Sequence, residues 1–311
     1  MMTRTTWQDL LNVSQALREI YVLEFKDPEI EISKLYNVES STSAEEKDLT
    51  TYEIGNMENV GEGGETPYDD PGEGYPTVYA PATYKKGVKI TEELLEDNKY
   101  REAVKAMKYI ARTANRTPLE YACKYFNYAF TANPEGYANY NSGALALCSS
   151  AHTSENGDGT TQSNADTKPL TLDNFDLALT ALVTQKTGNG KLLSFTGKPK
   201  LIVGPSNRAA AIKITESELE PDTANNAINV FKGAVADVIV NPFMHTSGGA
   251  TYNTYWFLMS PDAKFNFFWR KKPVYEEEQD FDNDVIKTKV KARWVAGASD
   301  WRGFWGSTGQ G

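Results

Sequence analysis

Cysteine and histidine are both scarce in this chain. Two cysteines, Cys123 and Cys148, and two histidines, His152 and His245, stand among 311 residues. Neither cysteine belongs to a Cys-x-x-Cys pair, so a disulfide framework is not expected and a reducing compartment fits. Neither histidine has metal-ligand spacing to another His or Cys, which argues against a zinc site. No apolar run approaches the ~18–20 residues that cross a bilayer. No basic segment followed by an apolar run opens the chain, so no signal peptide is expected. The expectation is a chain made in a cytoplasm, with no membrane partner.

The usual signatures of catalysis are missing too. GNGKLL (188–193) is not a Walker loop: Gln185 stands where that pattern needs glycine, and Leu192 follows Lys191. GPSNR (204–208) ends in Arg208 and cannot be a G-x-S-x-G elbow. GEGGET (61–66) lacks dinucleotide spacing. The loop NGDG (156–159) lacks the distal acidic ligand of a calcium loop. With 42 acidic residues, carboxylate pairs are guaranteed, but none is distinguished by its surroundings. No catalytic, cofactor-binding or metal-binding residue is therefore expected, and the chain does not read as an enzyme. The net charge of −10 argues against gripping nucleic acid by its phosphates. It leaves room for a protein that surrounds nucleic acid without base-selective contact.

What the chain does have is one long helical stripe. From Thr91 to Thr131, Tyr100, Ala103, Val104, Met107, Ile110, Ala111, Ala114, Tyr121, Ala122, Tyr125, Ala129 and Phe130 recur at helical spacing. Thr91 would cap it, and Glu92 and Glu93 suit the positive end of the dipole. Pro118 is expected to kink or divide it. Nearly continuous, the helix would be about 60 Å long at ~1.5 Å per residue, longer than the roughly 50 Å diameter of a compact globule of this size. A long core helix in an ordinary globule and a spine in a flat subunit that packs on its own copies both fit that length.

Ahead of the helix lies an extended hairpin. TTYEIGNMENV (50–60) and PTVYAPATYKKGVKIT (76–91) read as strands, joined by GEGGETPYDDPGEGY with five glycines, two prolines and five acidic residues. Such a segment cannot build a core. It is a mobile surface hairpin, a flap over a site, or an arm laid across a neighbour. Before it, residues 3–25 pattern as an amphipathic helix, EIEISKLYNVES (29–40) as strand-like, and SSTSAEEKDLT as a polar run.

Beyond the helix, GALALC (143–148) is expected as a short strand and LTLDNFDLALTALVTQ as a helix capped by Thr171, with Leu172, Phe175, Leu179, Leu182 and Val183 on one face. KLIVG is expected as a strand, PSNRAAAIKI as a helix opened by Pro205, AINVFKGAVADVIVNPFM as two strands, and TYWFLMSP and AKFNFFWRKK as strands. In the last stretch Ile286, Thr288, Val290, Ala292 and Trp294 alternate with Lys287, Lys289, Lys291 and Arg293. That period of two gives one buried and one basic face. The basic face is either solvated or paired with acidic groups, for which the hairpin tip and the run at 276–284 are candidates.

In order, a loose arm, a glycine-rich hairpin, a spine helix, a mixed region and a return strand resemble the major capsid protein of tailed bacteriophages, the Hong Kong 97 fold, and its Mu-like major head subunit group. The residues that carry the resemblance are YEIGNM (52–57), PYDDPGEGYPTVY (67–79), KKGVKITEELLEDNKY (85–100), NTYWFLMSPDA (253–263) and VKARWVAGASDWRGFWGS (290–307). The resemblance implies an α+β chain with an N-terminal arm at 1–49 and an extended hairpin, the E-loop, at 50–90. It implies a P-domain at 91–169 and 270–311 holding the spine helix and return strand, and a mixed α/β A-domain at 170–269. It implies hexameric and pentameric capsomers in an icosahedral shell around double-stranded DNA, located in the virion and assembled in the host bacterial cytoplasm. Portal, separate scaffold and decoration proteins would be its partners. Lys85 and Lys86 lie in the hairpin, but no matched acceptor supports carrying over the covalent cross-link known in one member of the fold.

On that reading Glu62, Glu65, Asp69, Asp70, Glu73 and Tyr75 of the hairpin meet Lys287, Lys289, Lys291 and Arg293 of a neighbour. Met107, Ile110, Tyr121, Tyr125, Trp294 and Trp301 form the core. An encapsulin-like nanocompartment shell and a soluble carbohydrate-binding or carbohydrate-active protein are the competing readings.

Overall fold

The computed structural model describes residues 15–52, 54, 56–68, 70–91, 93–94, 100–154, 159–195, 197–219, 228–245, 251–280 and 285–310. Its strands are β1 (Asn37–Ser40), β2 (Glu46–Tyr52), β3 (Gly72–Tyr79), β4 (Ala82–Thr91), β5 (His152–Thr153), β6 (Thr161–Gln162), β7 (Ala165–Asp166), β8 (Lys200–Val203), β9 (Val238–Val240), β10 (Trp256–Met259), β11 (Phe265–Asp280), β12 (Val285–Ala298) and β13 (Phe304–Ser307). The chain divides into two compact units. One draws on 1–44, 80–122 and 267–295, the other on 45–79, 123–266 and 296–311.

In the first unit a four-stranded sheet, ordered β1-β11-β12-β4, is covered on one face by the long helix Tyr100–Lys124. The alternation in β12 explains why. Ile286 and Val290 are buried with Ile90 of β4 against Ala103, Met107, Ile110, Ala111 and Ala114 of the helix. Leu17 and Tyr21, from a helix at 15–24, close the same core. The helix stays continuous through Pro118, contrary to the expected division. Proline leaves the Ala114 carbonyl without its ladder partner, yet the helix runs on to Lys124, with the Thr117 hydroxyl donating to the Thr113 carbonyl at 2.8 Å just ahead of it. After Lys124 the chain tightens into a 3-10 turn, Tyr125–Tyr128. Residues 3–14, Glu92 and 95–99 lie outside the described residues.

Three local expectations need correction. EIEI (29–32) is a helical turn, because the Asp27 carboxylate accepts from the Glu29 N–H at 2.9 Å and Ile32, Leu35 and Tyr36 are buried at helical spacing. GALALC is not a strand: Leu147 and Cys148 are buried, but side-chain amides hold the segment, Asn139 donating to Leu145 O and Asn164 to Leu147 O. In 227–244 only Val238–Val240 is a strand among the described residues, and Ile228 makes a single bridge to Leu219.

The second unit is built on a five-stranded sheet, β7-β13-β10-β8-β9. β8 and β9 are parallel, and β10 runs antiparallel to both β8 and β13. The helices Leu172–Val183 and Arg208–Glu216 contribute Phe175, Ala178, Leu182, Ala211 and Ile214 to a core with Leu201, Val203, Trp256, Leu258 and Trp305. Thr171 caps the first helix, its hydroxyl accepting from Asn174 N at 3.3 Å, whereas Val183 lies on the exposed side. The alternate strand positions, Phe257 and Phe304, pack with Phe126 and Phe265. Within this unit the chain packs closely at Gly297, where an added Cβ would stand 1.9 Å from the Ala138 carbonyl oxygen. No helix among the described residues is long and apolar enough to cross a membrane.

Candidate assembly surface

The hairpin is shorter and differently registered than its sequence suggests. β2 covers Glu46–Tyr52, beginning within the run read as polar and ending at the start of the expected strand, and pairs antiparallel with β3 from Glu46↔Tyr79 to Tyr52↔Gly72. Thr50, buried at a bulge, fixes that register: its hydroxyl accepts from Tyr75 N at 2.8 Å and donates to Tyr75 O at 3.1 Å. The returning strand then breaks at Ala80-Pro81. β4 pairs instead with β12, from Val285↔Thr91 to Trp294↔Ala82. The β2–β3 arm therefore belongs to the second unit and β4 to the first.

The arm is rooted in its own unit and bare beyond it. Tyr79 is fully buried and its hydroxyl lies 2.7 Å from that of Ser299. Tyr75 is half-buried, edge-on to Tyr140 with ring centroids 5.5 Å apart, so its ring is covered within its own chain. Past the ladder, Ile54, Met57, Val60 and Tyr68 are exposed, Met57 completely and Tyr68 at 92%. Glu62, Glu65, Asp70 and Glu73 are exposed beside them, and Asp69 lies outside the described residues.

The basic strand face is partly neutralised within the chain. Lys287 pairs with Asp280, and Lys289 with Glu276 at 3.2 Å, both across from β11. The Lys289 amine holds the Glu276 carboxyl below the usual carboxylate range. Arg293 donates to the Pro81 carbonyl at 3.4 Å. Lys291 stands directly opposite Lys85 in the ladder, as Lys287 stands opposite Lys89. Like charges facing each other across a ladder are destabilising and favour an added anion. Of the four basic positions, Lys291 is the one left facing another lysine with no carboxylate paired to either among the described residues.

The core positions fall as follows. Met107, Ile110, Tyr125, Trp294 and Trp301 are buried, and Tyr121 is half-buried. Trp301 lies face to face with the His152 ring, centroids 4.2 Å apart. His152 Nε2 donates to Asn164 Oδ1 at 3.0 Å, while Nδ1 is buried without a partner. Burial pulls this imidazole down to about 4, against the hydrogen bond it donates to Asn164. Nothing in the sequence around His152 announced that environment. The neutral ring is the one the fold accepts, because desolvation of the charged form outweighs the hydrogen bonds that favour it. Between pH 6.5 and 4 the unfolded chain binds a proton that the folded chain refuses, so stability present above pH 6.5 is lost as pH falls. The contribution is about 3 kcal/mol. Urea unfolding at stepped pH should show His152→Gln losing less stability than the parent across this window. Parallel curves for the two proteins would contradict the assignment.

No cluster of metal-binding residues occurs among the described residues. No curated protein matches the chain. Among solved structures it resembles a chain of Microbacterium phage Oxtober96 (11% identity, covering 89% of this chain and 90% of that one, TM-score 0.53). It likewise resembles the capsid of a native GTA particle (10% identity, 88% of each chain, TM-score 0.51) and the capsid of Myoviridae phage XM1 (10% identity, 87% and 88%, TM-score 0.51). At such identities these likenesses show the fold, which is the α+β Hong Kong 97-type architecture. A family model for phage capsid proteins matches residues 74–306, most of the chain, and the chain belongs to that family.

Proposed function

We propose that this capsid protein is the major shell subunit, joining through hexamers and pentamers into an icosahedral head around double-stranded DNA of a tailed phage. Its work is structural: copies bind copies. The observation that carries the reading is the β2–β3 arm, rooted by Tyr79 and Thr50 yet exposing Ile54, Met57, Val60 and Tyr68. Apolar surface of that kind marks an interaction site. A closed shell arises when one patch is used repeatedly under symmetry. The arm as inter-subunit clamp and the contact residues on it follow from the same reading. So do the enclosed DNA, a portal, a separate scaffold and assembly in the host cytoplasm. Family membership favours a shell over a carbohydrate-binding protein.

Expression of the chain followed by sedimentation and negative-stain microscopy tests the proposal. Megadalton shells or capsomer rings are the expected result. A monomer or small oligomer at all concentrations would refute it.

A further inference from the structure

A pocket of about 200 Å³ lies within the first unit, between the long helix and the β4–β12 ladder. Ile110 and Ala114 of the helix, Val290 and Trp294 of β12, and Tyr84 of β4 form its walls. The Tyr84 ring is stacked on Trp294 at 4.0 Å, presenting an aromatic wall. An apolar cavity of ~150 Å³ accepts a benzene ring, so this one has room for a single aromatic side chain and not for a helix. Lys86 stands at its mouth, whereas Lys85 borders the pocket but pairs with Lys291 on the opposite face of the ladder. Lys86 pairs in register with Val290, a core residue, so it sits on the helix-facing side of β4. No ion pair joins either lysine to a described carboxylate.

The arm carries the complementary features. From Asp48 to Tyr84 the sequence contains acidic residues and no lysine or arginine. Within it, Tyr68 stands between Pro67 and the acidic pair Asp69-Asp70, with Pro71 beyond and Glu65 before. Proline on both sides restricts the segment before binding, which lowers the entropy lost on docking. Tyr68 is almost fully exposed. Tyrosine in a desolvated pocket is a common binding anchor, and charges at the rim set orientation.

We propose that the pocket under the long helix receives the Tyr68 ring of a second copy of this chain, with Glu65 or Asp70 of that copy beside Lys86. This deepens the shell reading and rests on it. The Met57 side chain, equally exposed, is the control.

The test uses the full chain in the assembly assay. Tyr68→Ala should lower particle yield at least roughly tenfold, the effect of losing one anchor contact. Tyr68→Phe should keep the yield, and Met57→Ala should fall less than Tyr68→Ala. Tyr68→Cys and Thr113→Cys chains, mixed before assembly and mildly oxidised, should give a disulfide-linked pair on a denaturing gel, because Thr113 lines the pocket. Normal assembly of Tyr68→Ala without a linked pair would overturn the inference while leaving the shell reading intact. A link formed only inside a doubly substituted chain would overturn the second-copy assignment. Failure of the unsubstituted protein to form particles would sink the shell reading, and the inference with it.

Discussion

Replacing residues 53–71 with a two-residue Asn-Gly turn should leave a folded subunit that no longer builds stable particles. The replacement keeps all of β2 and β3, together with the Thr50–Tyr75 and Tyr79–Ser299 hydrogen bonds that root the arm. It removes Ile54, Met57, Val60 and Tyr68, which lie exposed on the subunit. Deleting 61–74, the span suggested by the glycines alone, would also cut Gly72–Gly74 from β3 and confuse lost pairing with lost assembly. Type I′ turns match the twist of paired strands, so the ladder should close normally. Circular dichroism and the urea midpoint should be unchanged. Sedimentation should show particles lost, or particles that fall apart on mild heating. Exposed ion pairs give only ~0–1 kcal/mol each, so neutralising the acidic tip alone should weaken assembly far less than removing its apolar side chains. Normal, heat-resistant particles from the shortened chain would show that the arm is not a clamp.

Trp294→Ala should cost roughly 3–5 kcal/mol of subunit stability. Trp294 is 3% exposed. Its ring stacks on Tyr84 and meets Trp269 edge-on at 5.6 Å and Tyr121 edge-on at 6.1 Å. Its indole nitrogen is buried without a hydrogen-bond partner. The loss would therefore be packing and cavity rather than a hydrogen bond, and Trp294→Phe should recover much of it. The same residue lines the pocket under the helix, so truncation should also impair assembly. Chemical unfolding of the isolated subunit separates the two effects. An unchanged midpoint would mean the aromatic cluster contributes nothing to the fold.

The relation between the arm and the basic strand shows where local pattern stops being informative. The acidic tip and the alternation in β12 are both plain in the sequence, and joining them across a subunit boundary was the natural reading. In the structure Lys287 and Lys289 meet Asp280 and Glu276 of the same chain. Lys291 faces Lys85. Which lysines remain available depends on which strand lies beside β12, and that is a long-range choice.

Residue order by itself determined the long helix, the strand alternation from Ile286 to Trp294, and the glycine- and acid-rich tip. Each follows from backbone preference or side-chain periodicity within a few turns of chain. Tertiary structure alone decided that β2 begins at Glu46, that β4 leaves the hairpin for β12, that Pro118 stays inside a continuous helix, and that His152 is stacked and buried. Strand partners and burial depend on residues more than a hundred positions apart, such as Tyr79 with Ser299 and Thr288 with Val88. Only the packed chain brings those groups together. A short segment with weak propensity then takes whatever conformation satisfies its buried backbone groups.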